Sequence, residues 1–138
     1  MKEFYIGQKA SFSRTVTETD LVQYAGLSGD YNPVHVDAEY AKDTRFGQRI
    51  AHGLLTTSFL SRLLGMELPG LGSIYLDQTL KFLKPVFIGD TITTIGEIIE
   101  ILPDKNMIRL KTVCKKQDGT VVLEGIATMM VPKEGGKI

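Results

Sequence analysis

Between Gly53 and Leu64 the chain carries Leu54, Leu55, Phe59, Leu60, Leu63 and Leu64, with small Thr and Ser residues between them and Arg62 as the one charged side chain. A helix apolar over most of its circumference belongs inside a domain, not on its surface. The rest of the chain must therefore cover it. From Gly72 onward the pattern turns to Ile, Val, Thr and Phe, the residues of strands, and strands are predicted near 73–83, 90–102, 106–116 and 120–131. Pro103-Asp104-Lys105-Asn106 and Gln117-Asp118-Gly119-Thr120 mark turns between them, Asp-Gly being a strong hairpin signal. Ile108, Leu110, Thr112 and Cys114 alternate with Arg109, Lys111 and Lys115, which predicts one buried and one wetter face. Residues 8–16 supply a further candidate strand. One long buried helix with an antiparallel sheet wrapped around it is an α+β layout.

Ahead of that helix, Thr17-Glu18-Thr19-Asp20 has the form of a capped helix start, with Asp20 in place of the usual Glu. Leu21, Tyr24 and Ala25 follow at helical spacing, and Gly26 and Gly29 bracket the expected stop. Asp37 caps a second, short helix through Lys42. A length of 138 residues fits one domain spanning 1–138, with a frayed tail at about 133–138.

Equal numbers of basic and acidic side chains, 16 each, argue against a nucleic-acid partner, since phosphate-backbone binding rests on an excess of Lys and Arg. One cysteine, Cys114, excludes an intrachain disulfide framework and a Cys-rich zinc site, and suits a reducing compartment. Two scattered histidines do not make a metal site. The N-terminus carries no signal-like apolar run, and the apolar stretch Ile50 to Met66, with His52 and Arg62 in it, is short for a membrane span. These features lead to the expectation of a soluble cytoplasmic protein with no membrane partner.

The densest set of reactive and backbone-shaping residues is Tyr24-Ala25-Gly26-Leu27-Ser28-Gly29-Asp30-Tyr31-Asn32-Pro33-Val34-His35. Gly29 permits a tight bend, and Asn32 is pushed from helical geometry by Pro33, so the segment is a shaped loop. Such a loop can bring Asp30 and His35 to one point. His suits proton transfer near neutral pH, and a carboxylate beside it supplies a base or steadies the imidazolium. Spacing alone leaves a second reading open, in which Asp30 caps a turn and His35 is a half-buried core residue. Ala51-His52-Gly53 opens the buried helix, whose first N–H groups form an anion site. Gly53 either admits a carbonyl oxygen to its N–H or permits close packing, and His52 either acts on substrate or anchors the loop. Ser61 lies about two turns beyond Gly53, on nearly the same helix face. Lys81, Lys84 and Arg109 suit a phosphorylated ligand or a solvated face.

The loop from Tyr24 to His35 resembles the signature of MaoC-like, (R)-specific enoyl-CoA hydratases: an aromatic residue, then Ser-Gly-Asp-x-Asn-Pro-aliphatic-His, then a small residue six positions on, here Ala41. Phe46-Gly47-Gln48-Arg49-Ile50-Ala51-His52-Gly53 resembles the family's second block, and Lys84-Pro85-Val86-Phe87-Ile88-Gly89-Asp90-Thr91 is similar to a strand entry common in hotdog folds. The likeness runs over about residues 7 to 132. It implies a hotdog fold and homodimers with an acyl-thioester tunnel near the subunit interface. The substrate would be an acyl-CoA or acyl-carrier-protein thioester, with no metal and no cofactor. It makes Asp30 and His35 the catalytic dyad, Gly53 the oxyanion donor, Ser61 a helper lining the site, His52 part of the substrate-binding set, and Asn32 an orienter of loop or water. Leu54, Leu60 and Leu76 are the expected lining of the tunnel. Two other classes compete. A hotdog thioesterase usually carries Glu or Asp on the central helix, and residues 53–64 hold none. A non-catalytic acyl-CoA-binding module has no use for an Asp/His pair.

Overall fold

A computed structural model describes residues 3–133. The elements run β1 (Lys9–Thr15), α1 (Glu18–Ser28), α2 (Pro33–Val36), α3 (Ala38–Lys42), α4 (Gly53–Met66), β2 (Ile74–Gln78), β3 (Lys81–Phe82), β4 (Thr91–Leu102), β5 (Met107–Lys115) and β6 (Val121–Met130). The strands form one antiparallel sheet in the order β1-β4-β5-β6-β2, with β3 also paired to β6. It curves around α4. This is the hotdog arrangement of the α+β class.

The register of the sheet follows from alternation. Ile108, Leu110, Thr112 and Cys114 of β5 are all fully buried, and Ile92, Thr94 and Ile98 of β4 share their face. Leu55, Phe59, Leu60, Leu63 and Leu64 of α4 pack into that layer; fully burying one such side chain contributes about 1.5–3 kcal/mol. A Cβ at Gly96 of β4 would stand 2.8 Å from Leu63 Cδ2, so glycine there lets helix and sheet close up.

Two expectations need correction. The strand expected over 73–83 is two strands. Thr79 breaks it: its hydroxyl accepts the Ile126 N–H at 2.9 Å, a place that a ladder carbonyl would otherwise take. The helix expected to be covered on most sides is buried along one face only, with Leu54 55% exposed and Ser61 and Arg62 also exposed. α1 runs to Ser28 and stops at Gly29 in the left-handed region, φ 81°, within the stretch that Gly26 and Gly29 were expected to bracket. Thr17 and Asp20 do form the reciprocal cap, and Asp37 accepts the Glu39 and Tyr40 N–H groups at the start of α3. The tail expected to fray lies, past Lys133, outside the described residues. None of the described helices is long and apolar enough to cross a membrane.

Candidate active site

The loop between α1 and α2 is built by short side chains that return to their own backbone. Ser28 Oγ accepts the Asp30 N–H at 3.1 Å, Asp30 Oδ1 accepts the Asn32 N–H at 3.1 Å, and Asn32 Oδ1 caps α2 through the Val34 N–H at 3.3 Å. Pro33 at the first position of α2 has the φ a helix start needs. The segment Tyr24 to His35, expected as a shaped loop, is therefore a loop only between Ser28 and Pro33: its first residues end α1 and its last form one helical turn that carries His35.

His35 is 9% exposed. Its Nδ1 lies 2.8 Å from the Ile50 carbonyl. A carbonyl only accepts, so Nδ1 carries a proton, and in the neutral ring Nε2 presents a lone pair. That Nε2 stands 3.9 Å from Asp30 Oδ2, beyond hydrogen-bond range. Asp30 therefore does both things the sequence left open: Oδ1 closes the turn and Oδ2 faces the histidine. Arg49, to which the sequence reading gave no role, donates Nε–H to the His35 carbonyl at 2.8 Å and reaches Glu18 on α1 at 3.3 Å.

Asp30, His35, His52 and Gly53 line one cavity of about 450 Å³ with a mostly apolar wall that includes Tyr24, Leu54 and Phe82. Segment 50–53 is fixed there from two sides, by Ile50 N–H to the Val34 carbonyl at 3.1 Å and Ala51 N–H to the Val86 carbonyl at 2.7 Å. No side chain caps α4, and the Gly53 and Leu54 N–H groups precede its first intrahelical bonds. A Cβ on Gly53 would stand 2.8 Å from the Phe82 ring, so the packing reason for glycine holds here alongside the open N–H.

His52 belongs to the loop more than to the cavity. Its Nε2–H donates to the Asp30 carbonyl at 3.0 Å, and its Nδ1 is buried without a partner, which leaves no N–H for a substrate oxygen. Burial holds its pKa below the ordinary histidine value, the Asp30 carbonyl opposes this, and His35 lowers it further. The buried Thr56 hydroxyl, on the next turn of α4, likewise has no partner. Asn32 shapes the loop from outside the cavity lining, and Ser61 sits on the exposed face of α4, also outside it. Of the expected tunnel residues Leu54 lines the cavity, whereas Leu60 is in the core and Leu76 is exposed elsewhere. Lys84 is at the cavity, but Lys81 borders a separate hollow and Arg109 pairs with Glu100 at 3.0 Å.

Ligand atoms of Asp30, His35 and His52 fall within 4.8 Å of one another, a separation that a metal ion could bridge. The ring geometry opposes this. The two imidazoles are stacked, centroids 3.8 Å apart and planes 23° from parallel, so their in-plane lone pairs run side by side and do not converge. Cys114, fully buried under the sheet, has its thiol pushed up to about 11 by burial, which removes it as a nucleophile.

Comparison with known proteins finds relatives over most of the chain. Residues 3–122 match the family model described as MaoC like domain. An (R)-specific enoyl-CoA hydratase of Rhodospirillum rubrum is 48% identical over 129 residues, which cover 94% of this chain and 89% of that protein. A 3-hydroxybutyryl-CoA dehydratase of Methylorubrum extorquens is 39% identical, covering 96% and 84% respectively. The solved structure of an (R)-hydratase from A. caviae involved in PHA biosynthesis superimposes with a TM-score of 0.93 at 39% identity, covering 96% of this chain and all of that one.

Proposed function

The chain belongs to the MaoC-like domain family, and from that premise we propose that its cavity adds water, with (R) stereochemistry, to a trans-2-enoyl thioester, using Asp30 and His35 as the acid–base pair. The enzyme is a hydro-lyase, and the same site runs the reverse dehydration of a 3-hydroxyacyl thioester. The observation that carries this reading is the 3.9 Å separation of Asp30 Oδ2 and His35 Nε2, two acceptor atoms at a cavity that also holds the open N-terminus of α4.

A carboxylate oxygen and an unprotonated imidazole nitrogen do not bond to each other. Two hydrogen bonds of about 2.8 Å, meeting at roughly 90°, close a gap of that size. A water between them donates one O–H to each and turns its lone pairs outward. Loss of a proton to the pair makes it hydroxide, which forms the C–O bond at the β-carbon of the enoyl group. The displaced electron pair moves through the α-carbon onto the thioester oxygen. The Gly53 N–H, at the positive end of the α4 dipole, meets that charge. When the enolate collapses, the α-carbon takes the proton held by Asp30 or His35, and the pair returns to its starting state. Every atom of the water is then in the product, so the step needs no redox cofactor.

The apolar wall suits an acyl chain, and Arg45 and Lys84 at the same cavity suit the phosphates of a CoA or carrier-protein arm. The reading extends to the whole chain as one domain, to a homodimer whose exposed apolar residues beside the cavity, Phe82 and Leu83, meet the partner, and to a cytoplasmic setting.

Crotonyl-CoA tests the reaction class. Loss of its conjugated enoyl-thioester absorbance, with an (R)-3-hydroxyacyl product and no free thiol, is expected. Release of free CoA would replace hydration with thioester hydrolysis. Bound ligand with unchanged absorbance, for CoA and carrier-protein thioesters alike, would make the chain a binding module.

A further inference from the structure

We infer that His52 is a positioning residue for the acid–base pair, holding the Asp30 backbone and the His35 ring in one fixed relation. The inference rests on the hydratase reading and adds to it a residue that need not touch substrate. His52 occupies the N-cap position of α4, where a side chain would ordinarily turn back to the helix, yet it makes no capping bond. It reaches across 22 residues of sequence to the Asp30 carbonyl at 3.0 Å. The same ring lies flat against His35, centroids 3.8 Å apart, and Tyr24 packs on it at 4.7 Å. It is 3% exposed. One imidazole thus touches both members of a pair whose own side chains do not touch.

The demands on this position are unusual. Glutamine would offer the N–H without the flat ring, and phenylalanine the ring without the N–H. Histidine supplies both in one small side chain. It must also stay uncharged. With Nε2–H committed to Asp30, a second proton would go on Nδ1, which is buried and has no acceptor. A charge there would also face any proton on His35 through the stack. Neutral His52 leaves the exchangeable proton to Asp30 and His35, and its ring face can stabilise the imidazolium when His35 carries the charge.

Steady-state kinetics on crotonyl-CoA with the full chain test this, comparing wild type, His52→Gln, His52→Phe and His35→Asn, each normalised to folded protein by thermal unfolding. The expected result is a fall in kcat of roughly tenfold in each His52 variant, with KM within about threefold of wild type. Loss of register slows the step without removing a substrate contact. If both His52 variants keep kcat within about threefold while His35→Asn is inactive, the inference fails and the hydratase reading stands. A loss confined to KM would overturn it too, by making His52 a substrate contact. A wild type inert towards every enoyl thioester would overturn the hydratase reading and this inference together.

Discussion

The two oxygens of Asp30 have different partners, one closing a turn on Asn32 and the other facing His35, and this division decides how single residues here respond to change. Gly53 is a second such position. Its N–H serves the proposed enolate while the place of its missing Cβ lies against the Phe82 ring. Gly53→Ala therefore forces that ring aside, and kcat for crotonyl-CoA is expected to fall by at least about tenfold. Removing the ring in Gly53→Ala/Phe82→Ala should recover part of the loss. A double variant no better than Gly53→Ala would show that the ring is not the obstacle. Cys114 is the opposite case, a residue withdrawn from chemistry. Its thiol is buried and pushed up to about 11, so a thiol reagent should leave it unmodified in the folded protein and label it after denaturation. Free-CoA assays are then read without background from the protein.

The elements were legible where one periodicity ruled a stretch. Ile108 to Cys114 alternate in the sequence and are buried in alternation in β5; Thr17 and Asp20 read as a cap and form one. What escaped were contacts with backbone atoms or with distant neighbours, neither of which leaves a mark in residue type. The Ile50 carbonyl that sets the His35 tautomer, the Arg49 hold on the His35 carbonyl, and the nearness of Leu63 to Gly96 are of this kind. The break at Thr79 escaped for a related reason, since a hydroxyl replaced a carbonyl in the ladder.

Burial pushes the Asp20 carboxyl up, but the Arg14 guanidinium and the Thr17 N–H outweigh it and hold it below its ordinary 3.8. Asp90, likewise opposed by burial, is lowered by Gln117, the Phe87 N–H and Lys116. A carboxyl lowered by folding adds stability above its unfolded pKa, and that stability drains as pH falls through the lower folded value. The unfolding midpoint should thus drop below about pH 3.8. Asp20→Ala should cost about 1 kcal/mol near pH 7, by loss of half the capping box, and the gap to wild type should narrow on acidification. A gap constant from pH 7 to pH 3 would show that the charge of the Asp20 carboxylate contributes nothing to it.

At the scale of the molecule, the sheet that hides one face of α4 leaves the N-terminal end of that helix open at the cavity, and the loop after α1 brings Asp30 and His35 to the same place. The fold thereby gathers an uncapped helix start and the facing Asp30 and His35 side chains around one mostly apolar space. In the proposed mechanism Asp30 and His35 act on a single water. This is tested most directly by the hydration rate of crotonyl-CoA in Asp30→Asn, His35→Asn and the double variant, each shown to be folded. Two groups acting on one water fail as a unit, so each single variant should lose at least about 10²-fold in kcat, and the double variant little more than either. Losses under about tenfold in the single variants, or losses that multiply in the double, would mean that Asp30 and His35 do not share one water.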